Sequence, residues 1–162
     1  MFPPRLSLRR PTDLDPITCE EFVDAASAEG RLLTSATCEE LRLRDASLVE
    51  CAVEDLFVSD LDLTGFRGAE LSDVLLERCQ IGELDLTGAA ASRVQFRDCS
   101  LETLVLSAAR LTDVDLRGAA FRRVTGLEHL RGATVSSEQL EALASHLADH
   151  LGIHVDDPRA HD

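Results

Sequence analysis

The side chains best suited to chemistry are five histidines, and all of them lie in the last third of the chain. They are His129, His146, His150, His154 and His161. His146 and His150 are four residues apart, a spacing that can bind zinc when a third ligand and a catalytic glutamate are present. The segment reads HLADH rather than HExxH, and no third ligand is evident. We therefore expect no metal site here and assign these histidines to a helix end, where the helix dipole favours them.

The chain also has five cysteines, which are Cys19, Cys38, Cys51, Cys79 and Cys99. An odd number of cysteines in a chain without a secretory signal is typical of free thiols. A metal or redox pair would be indicated by a CxxC motif or an adjacent histidine, and neither occurs. Cys79 and Cys99 are 20 residues apart, and we expect both to be buried and inert.

Signatures of covalent catalysis are missing. No GxSxG segment occurs, and the chain contains no lysine, so it has no P-loop, no SxxK pair and no Schiff-base residue. The sequence predicts neither an enzyme nor a bound cofactor.

The net charge of −14 limits the partners that the protein can bind. It argues against direct binding to a nucleic-acid backbone, which requires basic patches that displace counterions. It permits a protein partner with a basic surface, including one that normally holds DNA. The first 16 residues lack the apolar core of a signal peptide, and no segment reaches transmembrane length. We therefore expect no membrane association and a cytoplasmic location.

The elements that position these side chains follow a period of five. From Ala69 to Glu128, every fifth residue is apolar, and the residue two places further on is almost always Leu, Ile, Val or Phe. A helix repeats every 3.6 residues and a strand every 2, so neither explains this period. The pattern predicts a coil that turns a corner once in every repeat.

The fives group into twenties, which predicts square coils stacked at about the 4.8 Å spacing of neighbouring strands. Residues 20 apart then form inward columns on four faces. The predicted columns are Leu48, Leu71, Ala91 and Leu111; Val53, Leu76, Phe96 and Leu116; Val58, Ile81, Leu101 and Phe121; and Leu63, Leu86 and Leu106.

Two irregularities interrupt the pattern. LDLTG occurs at 61–65 and again at 84–88, which predicts a three-residue insertion at 66–68, with Phe66 covering the corner. The pattern weakens before residue 46, so we interpret 31–45 as an incomplete first coil. For 16–29 we expect a helix, with Asp15 as its N-cap.

Several repeats, namely ASLVE, AELSD, ARLTD, AAFRR, CQIGE and CSLET, resemble the A(D/N)LXX pattern of the pentapeptide-repeat family. The resemblance covers about residues 31–135. It implies an all-β solenoid, the right-handed quadrilateral β-helix of that family, with about five coils. Ala91 and Gly126 depart from the pattern, because they replace the central Leu or Phe.

The ends are predicted to cap this solenoid, with 1–30 as an N-terminal extension and 136–155 as a C-terminal cap. Ser136 and Gln139 form a capping-box signature. The helix that follows should carry one apolar stripe and end at Gly152, with Ile153 and Val155 as a short edge strand, and 156–162 as a disordered tail. The stripe consists of Leu140, Leu143, Ala144, Leu147 and Leu151.

The apolar stripe has two interpretations. It can cover the last coil, which leaves a monomer, or it can form a homodimer through the C-terminal end. The resemblance implies the second use, because gyrase-binding members of the family pair through their C-terminal ends. We favour the cap, because an open coil edge must be covered in any case.

Ordered acidic residues provide the candidate binding surface. On the third face we place Glu39, Glu40, Asp60, Glu83 and Glu102 facing outward, before Arg122 and Arg123, and on the fourth face Asp62 and Asp85. Carboxylates on flat faces lack the concave, partly dry site that acid–base catalysis needs.

Two functions remain open. The resemblance implies a DNA mimic that docks on a type II topoisomerase such as DNA gyrase and modulates or protects it. The alternative is a scaffold protein with another partner, in which the acidic residues serve only solubility.

Overall fold

The structure is a computed structural model that describes residues 14–18, 21, 27–34, 37–38, 46–58 and 64–155. It is a parallel β-solenoid of about five turns with a C-terminal helix, as the sequence predicted. The inward residues form one continuous aliphatic core along the axis. No turn could stabilise itself alone, because each buries its apolar side chains against its neighbours.

Fifteen short strands build the described part of the solenoid. They are β1 (Asp15–Pro16), β2 (Ser27–Glu29), β3 (Arg31–Thr34), β4 (Thr37–Cys38), β5 (Ser47–Val49), β6 (Ala52–Glu54), β7 (Phe57–Val58), β8 (Thr64–Gly65), β9 (Glu70–Glu77), β10 (Gln80–Asp85), β11 (Ala90–Arg97), β12 (Cys99–Val105), β13 (Arg110–Asp115), β14 (Ala119–Thr125) and β15 (Ala133–Thr134). A 3-10 helix spans Leu127–His129, and helix α1 spans Ser137–His150.

The strands form two parallel sheets that share the four faces of the coil. Faces 1 and 2 belong to one sheet, in which β9, β11 and β13 each run through both faces. Faces 3 and 4 belong to the other sheet, through β10, β12 and β14. We number the coils from the N-terminus, so that coil 2 covers 46–68, and coils 3, 4 and 5 begin at Ala69, Ala89 and Ala109.

The register confirms the predicted columns on faces 1 to 3. On face 1, Leu71 pairs with Ala91, which pairs with Leu111. On face 2, Leu76 pairs with both Val53 and Phe96, and on face 3 Leu101 pairs with Ile81 and Phe121. The 20-residue period is therefore the sequence separation between residues that stack on each other in neighbouring coils.

The three-residue insertion lies at a different place from the one predicted. On face 3, Val58 pairs with Ile81, an offset of 23 residues. On face 4, Thr64 pairs with Leu84, an offset of only 20 residues. The additional residues therefore lie between Val58 and Thr64, and the prediction of an insertion at 66–68 is wrong.

This shift moves Phe66 into the inward column of face 4. The Phe66 N–H donates to the Asp85 carbonyl at 2.7 Å, as the Leu86 N–H donates to the Val105 carbonyl at 2.9 Å. Phe66 is buried and occupies the position predicted for Leu63, which lies outside the described residues. The two LDLTG segments are therefore not structurally equivalent, and Phe66 does not merely cover a corner.

At most of the corners, the chain turns through a single residue whose backbone lies in the left-handed region, with a positive φ. Eight of the described non-glycine residues have a positive φ, between 51° and 57°. They are Glu50, Asp55, Asp73, Arg78, Arg93, Asp98, Ala108 and Asp113. This conformation costs roughly 1–2 kcal/mol for most residues, and Asp tolerates it better because its short side chain can bond locally. The corners thus account for many of the aspartates in the repeat.

The N-terminal segment differs from the prediction at both ends of the proposed helix. Asp15 and Pro16 form β1, which pairs with β3, so Asp15 is not an N-cap. Ser27–Glu29 pairs with β5, so the solenoid begins at 27 rather than 31. Thr18 and Glu21 make the reciprocal hydrogen bonds of a capping box, with the Thr18 N–H donating at 3.0 Å and the Glu21 N–H at 3.3 Å. Residues 19, 20 and 22–26 lie outside the described part.

Helix α1 covers the last coil as predicted. Ser136 and Gln139 form the capping box, and the Gln139 Nε2 also donates to the carbonyls of Leu116 and Ala119 at 2.7 and 2.6 Å. One side chain therefore caps both the helix and the edge of coil 5. Gly152, with φ of 69°, ends the helix.

The apolar stripe of α1 is divided between the solenoid and solvent. Leu143 is buried in the core, and Leu147 packs against it. Leu140 and Leu151 are 52% and 68% exposed, so the prediction that one stripe covers the coil holds only in part. Ile153 and Val155 form no strand and are exposed, and 156–162 lies outside the described residues.

Candidate interaction surface

The predicted acidic residues fall into three groups. Glu102 lies on the outer surface of face 3, whereas Glu83, predicted on the same face, lies where face 3 turns into face 4. Asp85 is buried, so the prediction that it belongs to an exposed acidic surface is wrong. The remaining four lie outside the described residues. They are Glu39, Glu40, Asp60 and Asp62.

The described acidic residues do not form the uninterrupted columns that the sequence predicted. Glu83 pairs with Thr103, which pairs with Arg123. Glu102 lies in a different column, and its carboxylate is 4.0 Å from the Arg122 guanidinium. Asp85 stacks between Gly65 and Val105 rather than on Asp62.

Asp85 and Asp115 serve the corners of the coil. The Asp85 carboxylate accepts the Thr87 N–H at 2.9 Å and lies 3.1 Å from the Arg67 guanidinium. Asp115 accepts three N–H groups of Arg117, at 3.1, 2.8 and 2.6 Å. Burial raises the pKa of Asp115, but the bonds from Arg117 outweigh it and hold that pKa below its ordinary value. Both carboxylates are structural.

Two arginines clamp acidic corners of successive coils. Arg93 reaches Asp73 through two bonds of 2.6 Å, and Arg78 reaches Asp55 at 2.7 and 3.1 Å. These bonds lower the pKa of Asp73 and of Asp55. Bidentate pairing of this kind fixes geometry as well as charge. These aspartates are therefore partly neutralised within the chain itself.

Three glutamates remain without such a clamp on face 1 and its corner. Glu29, Glu50 and Glu70 are exposed, and none forms an ion pair or side-chain hydrogen bond with a residue that the structure describes. They belong to coils 1, 2 and 3. Sequence reasoning missed them, because Glu50 and Glu70 occupy different positions within their repeats and form no column.

Charge is distributed unevenly along the axis. Residues 46–68 contain five acidic residues and one arginine, and residues 69–88 have the same composition. Residues 89–108 contain two of each sign, whereas 109–128 contain four arginines and three acidic residues. The candidate surface is therefore the N-terminal half of the solenoid, and not the whole rod.

The outer side of face 2 is not an open surface. Alternation along the strands points Ala52 and Leu75 outward, and yet both are fully buried. Glu54 and Asp115 on the same side are also buried. We therefore confine the candidate surface to the other faces.

An open groove of about 450 Å³ lies where coil 5 meets the start of α1. Its polar groups are largely engaged in structural bonds. Arg117 binds Asp115, and Ser136 and Gln139 bind each other in the capping box. Asp98 and Glu138 also line it, and no histidine does. The buried thiol of Cys99 also lines the groove, with no described histidine beside it.

The histidines and cysteines form no metal group among the described residues. Glu128 lies 3.6 Å from His129 and 3.8 Å from His150, as contacts at the end of α1. Cys51, Cys79 and Cys99 are free and buried, as predicted. The hydrogen bond with Cys99, together with burial, raises the pKa of Cys79, and burial raises that of Cys51. None of the described helices is long and apolar enough to cross a membrane.

The repeat itself matches a known family. Residues 92–125 match the model described as pentapeptide repeats, in 8 copies. No curated protein matches the chain. Among solved structures, QnrB1, a plasmid-mediated fluoroquinolone resistance protein, is similar at 14% identity, over 88% of this chain and 96% of that chain. Its TM-score of 0.21 is too low to bear on fold or function.

The matched residues lie in coils 4 and 5, and the same stacking continues into coils 2 and 3. The resemblance seen in the sequence is confirmed. Residues 92–125 therefore match the pentapeptide-repeat family, as the resemblance predicted.

Proposed function

We propose that this chain is a non-enzymatic binding module that mimics DNA and docks on the basic, DNA-holding surface of a type II topoisomerase, DNA gyrase being the specific candidate. The observation that carries the proposal is the set of exposed, unclamped glutamates in coils 1 to 3, namely Glu29, Glu50 and Glu70. A net charge of −14 supports it, since a basic partner is attracted electrostatically before contact.

The structure changes which residues we place in this surface. Asp85 is removed, because it is buried and its carboxylate binds Thr87 and Arg67. Glu83 and Glu102 are kept as secondary contacts, and Glu39, Glu40, Asp60 and Asp62 stay predictions from sequence. The surface thus begins on face 1 rather than on face 3.

The experiment is a pull-down of purified DNA gyrase with the full chain, followed by a supercoiling assay at increasing concentrations of the chain. We expect gyrase to be retained, and its supercoiling or its response to DNA-trapping inhibitors to change. Retention should weaken as salt rises, because exposed charges are screened. A chain that does not retain gyrase at low salt would remove gyrase as the partner.

The alternative is a scaffold protein whose acidic residues serve solubility, and the arginine clamps favour it, because they reduce the free negative charge of coils 2 and 3. Co-purification from the native cell distinguishes the two functions. A basic, DNA-binding partner supports the DNA mimic, and a neutral or acidic partner supports the scaffold. We propose a cytoplasmic location for either function.

A further inference from the structure

Face 1 carries two opposite charges that lie two coils apart. Glu70 in coil 3 pairs in register with Ala90 in coil 4, which pairs with Arg110 in coil 5. Glu70 and Arg110 are exposed, and neither forms an ion pair with a described residue. Two coils separate their Cα atoms by about 10 Å, twice the spacing of neighbouring strands. The column is therefore a short strip with one acidic and one basic end.

The surface between these ends is flat. The neighbouring outward column consists of Ser72, Ser92 and Thr112, whose short side chains allow another flat surface to approach closely. Gly132 stacks on coil 5, because a Cβ placed on it would lie only 2.0 Å from the Leu111 carbonyl oxygen, and the exposed Arg131 directly precedes it. The acidic end is extended by Glu50.

We propose that face 1 binds face 1 of a second copy of this chain, with the two solenoids antiparallel. A two-fold axis along the strand direction at coil 4 places Glu70 of each copy opposite Arg110 of the other. A two-fold contact repeats every pair, so one complementary strip provides two ion pairs. Because the second copy has the same sequence and runs in the opposite direction, it presents Arg110 opposite Glu70 and Glu70 opposite Arg110 at the same spacing. A second copy of the chain is therefore the partner that we assign to this face.

Face 4, which carries a similar pattern of charge, does not fit in the same way. Glu83, Thr103 and Arg123 form a column there, but Glu102 lies beside Thr103 in coil 4. An antiparallel pair through that surface would bring Glu102 close to Glu102 of the second copy, and like charges in contact are unfavourable. Coil 4 of face 1 carries Ala90 and Ser92 on the face and Arg93 at its corner, where Arg93 is bonded to Asp73. Face 1 differs from face 4 because its segment of coil 4 carries no acidic residue.

The association should be weak. The face is only a few residues wide, so each copy buries on the order of a few hundred Å², less than the roughly 800 Å² per partner of standard interfaces. The corner beside face 1 opposes it, because Asp113 approaches Asp73 of the second copy and Arg93 approaches Arg93 of the second copy, although Arg93 is bonded to Asp73 within each chain. We therefore expect a dimer that forms at high protein concentration and dissociates on dilution.

The test is sedimentation velocity of the full chain over a concentration series, with charge reversals. Glu70→Arg and Arg110→Glu should each weaken dimerisation at least tenfold, since each reversal affects both copies of the pair. An equimolar mixture of these two variants should regain dimers, because each then supplies the charge that the other lacks. Glu83→Arg and Arg123→Glu are matched controls with equal changes in net charge and should dimerise like the unmodified chain.

Three results would overturn the proposal. One is a chain that remains monomeric at every concentration. Another is dimerisation that the face 1 reversals leave unchanged, while Leu140→Ser and Leu151→Ser abolish it, which would place the contact on α1. The third is a mixture of the two face 1 variants that stays monomeric. All face 1 substitutions are at exposed positions, and circular dichroism checks that the variants fold.

Discussion

Coils 2 and 3 have apolar inward positions like those of coils 4 and 5, but their outward charge differs. In coil 3, Leu71, Leu76 and Leu86 point inward, and in coil 4 the same positions hold Ala91, Phe96 and Leu106. On the outside, coils 2 and 3 are strongly acidic, whereas coils 4 and 5 contain at least as many arginines as acidic residues. The core therefore constrains one side of each strand, and the other side is free to vary with function.

Shortening a buried side chain tests whether the cores of coils 3 and 4 contribute equally to stability. This change has the largest expected effect. Leu84 and Leu104 pair in the same inward column of coils 3 and 4, and both are buried. Replacing either by Ala should lower the free energy of unfolding by about 2–5 kcal/mol. Urea denaturation of the two variants should give similar losses. A loss in one coil more than twice that in the other would contradict the equivalence.

The end of coil 5 is more sensitive to an added methyl group than the end of α1. Gly132 has φ of 88° and lies against the Leu111 carbonyl, whereas Gly152 has φ of 69° with nothing within 4 Å of an added Cβ. We expect Gly132→Ala to cost about 2–3 kcal/mol and Gly152→Ala about 1 kcal/mol, the left-handed conformation alone. Thermal unfolding measures both, and equal losses would show that coil 5 relaxes around the methyl group.

The cap of coil 5 can be separated from the cap of α1. Gln139→Glu keeps an acceptor for the Ser136 N–H but removes the Nε2 donor to Leu116 and Ala119. Ser136→Ala instead removes the oxygen that accepts the Gln139 N–H. Each should cost about 1 kcal/mol by chemical denaturation. Only Gln139→Glu should speed amide exchange at coil 5, and exchange unchanged there would refute the double role of Gln139.

The arginine clamps predict a small dependence on pH. The pKa of Asp73 is lower in the folded chain than its usual 3.8, so this carboxylate stabilises the fold above about pH 4, and the stabilisation is lost as pH falls further. Asp73→Asn should reduce stability at pH 7 by no more than about 0.5–1 kcal/mol, because the pair is partly exposed and screened by solvent. Unfolding at pH 7 and pH 3 should show that this difference shrinks at the lower pH, and a difference that grows would contradict the sign.

Sequence reasoning identified the architecture because inward residues obey a strict period. The core columns of faces 1 to 3, the Ser136 capping box and the end of α1 at Gly152 followed from spacing alone. The insertion was misplaced, because the copied letters LDLTG suggested an alignment that the stacking of Phe66 overrides. Spacing along the chain does not show whether Leu63 or Phe66 occupies the inward column of face 4.

The candidate surface was less predictable, because outward residues obey no period. Asp85 has the same charge as Glu83 two residues earlier, and only the structure shows that it is buried at a corner. Clamps such as Arg93 to Asp73 join residues 20 apart, so their effect on free charge depends on side-chain geometry. Glu29, Glu50 and Glu70 were missed because they form no column in the sequence, and only the structure shows that they are exposed and form no ion pair with a described residue.

The most direct test of the DNA-mimic proposal is to measure gyrase affinity for two variants with equal net charge. One variant carries Glu29→Gln, Glu50→Gln and Glu70→Gln in coils 1 to 3, and the other carries Glu138→Gln, Glu141→Gln and Asp149→Asn on α1. We predict that the first binds at least tenfold more weakly than the unmodified chain and that the second binds nearly as well. Equal affinity of the two variants would contradict a role for the acidic half of the solenoid.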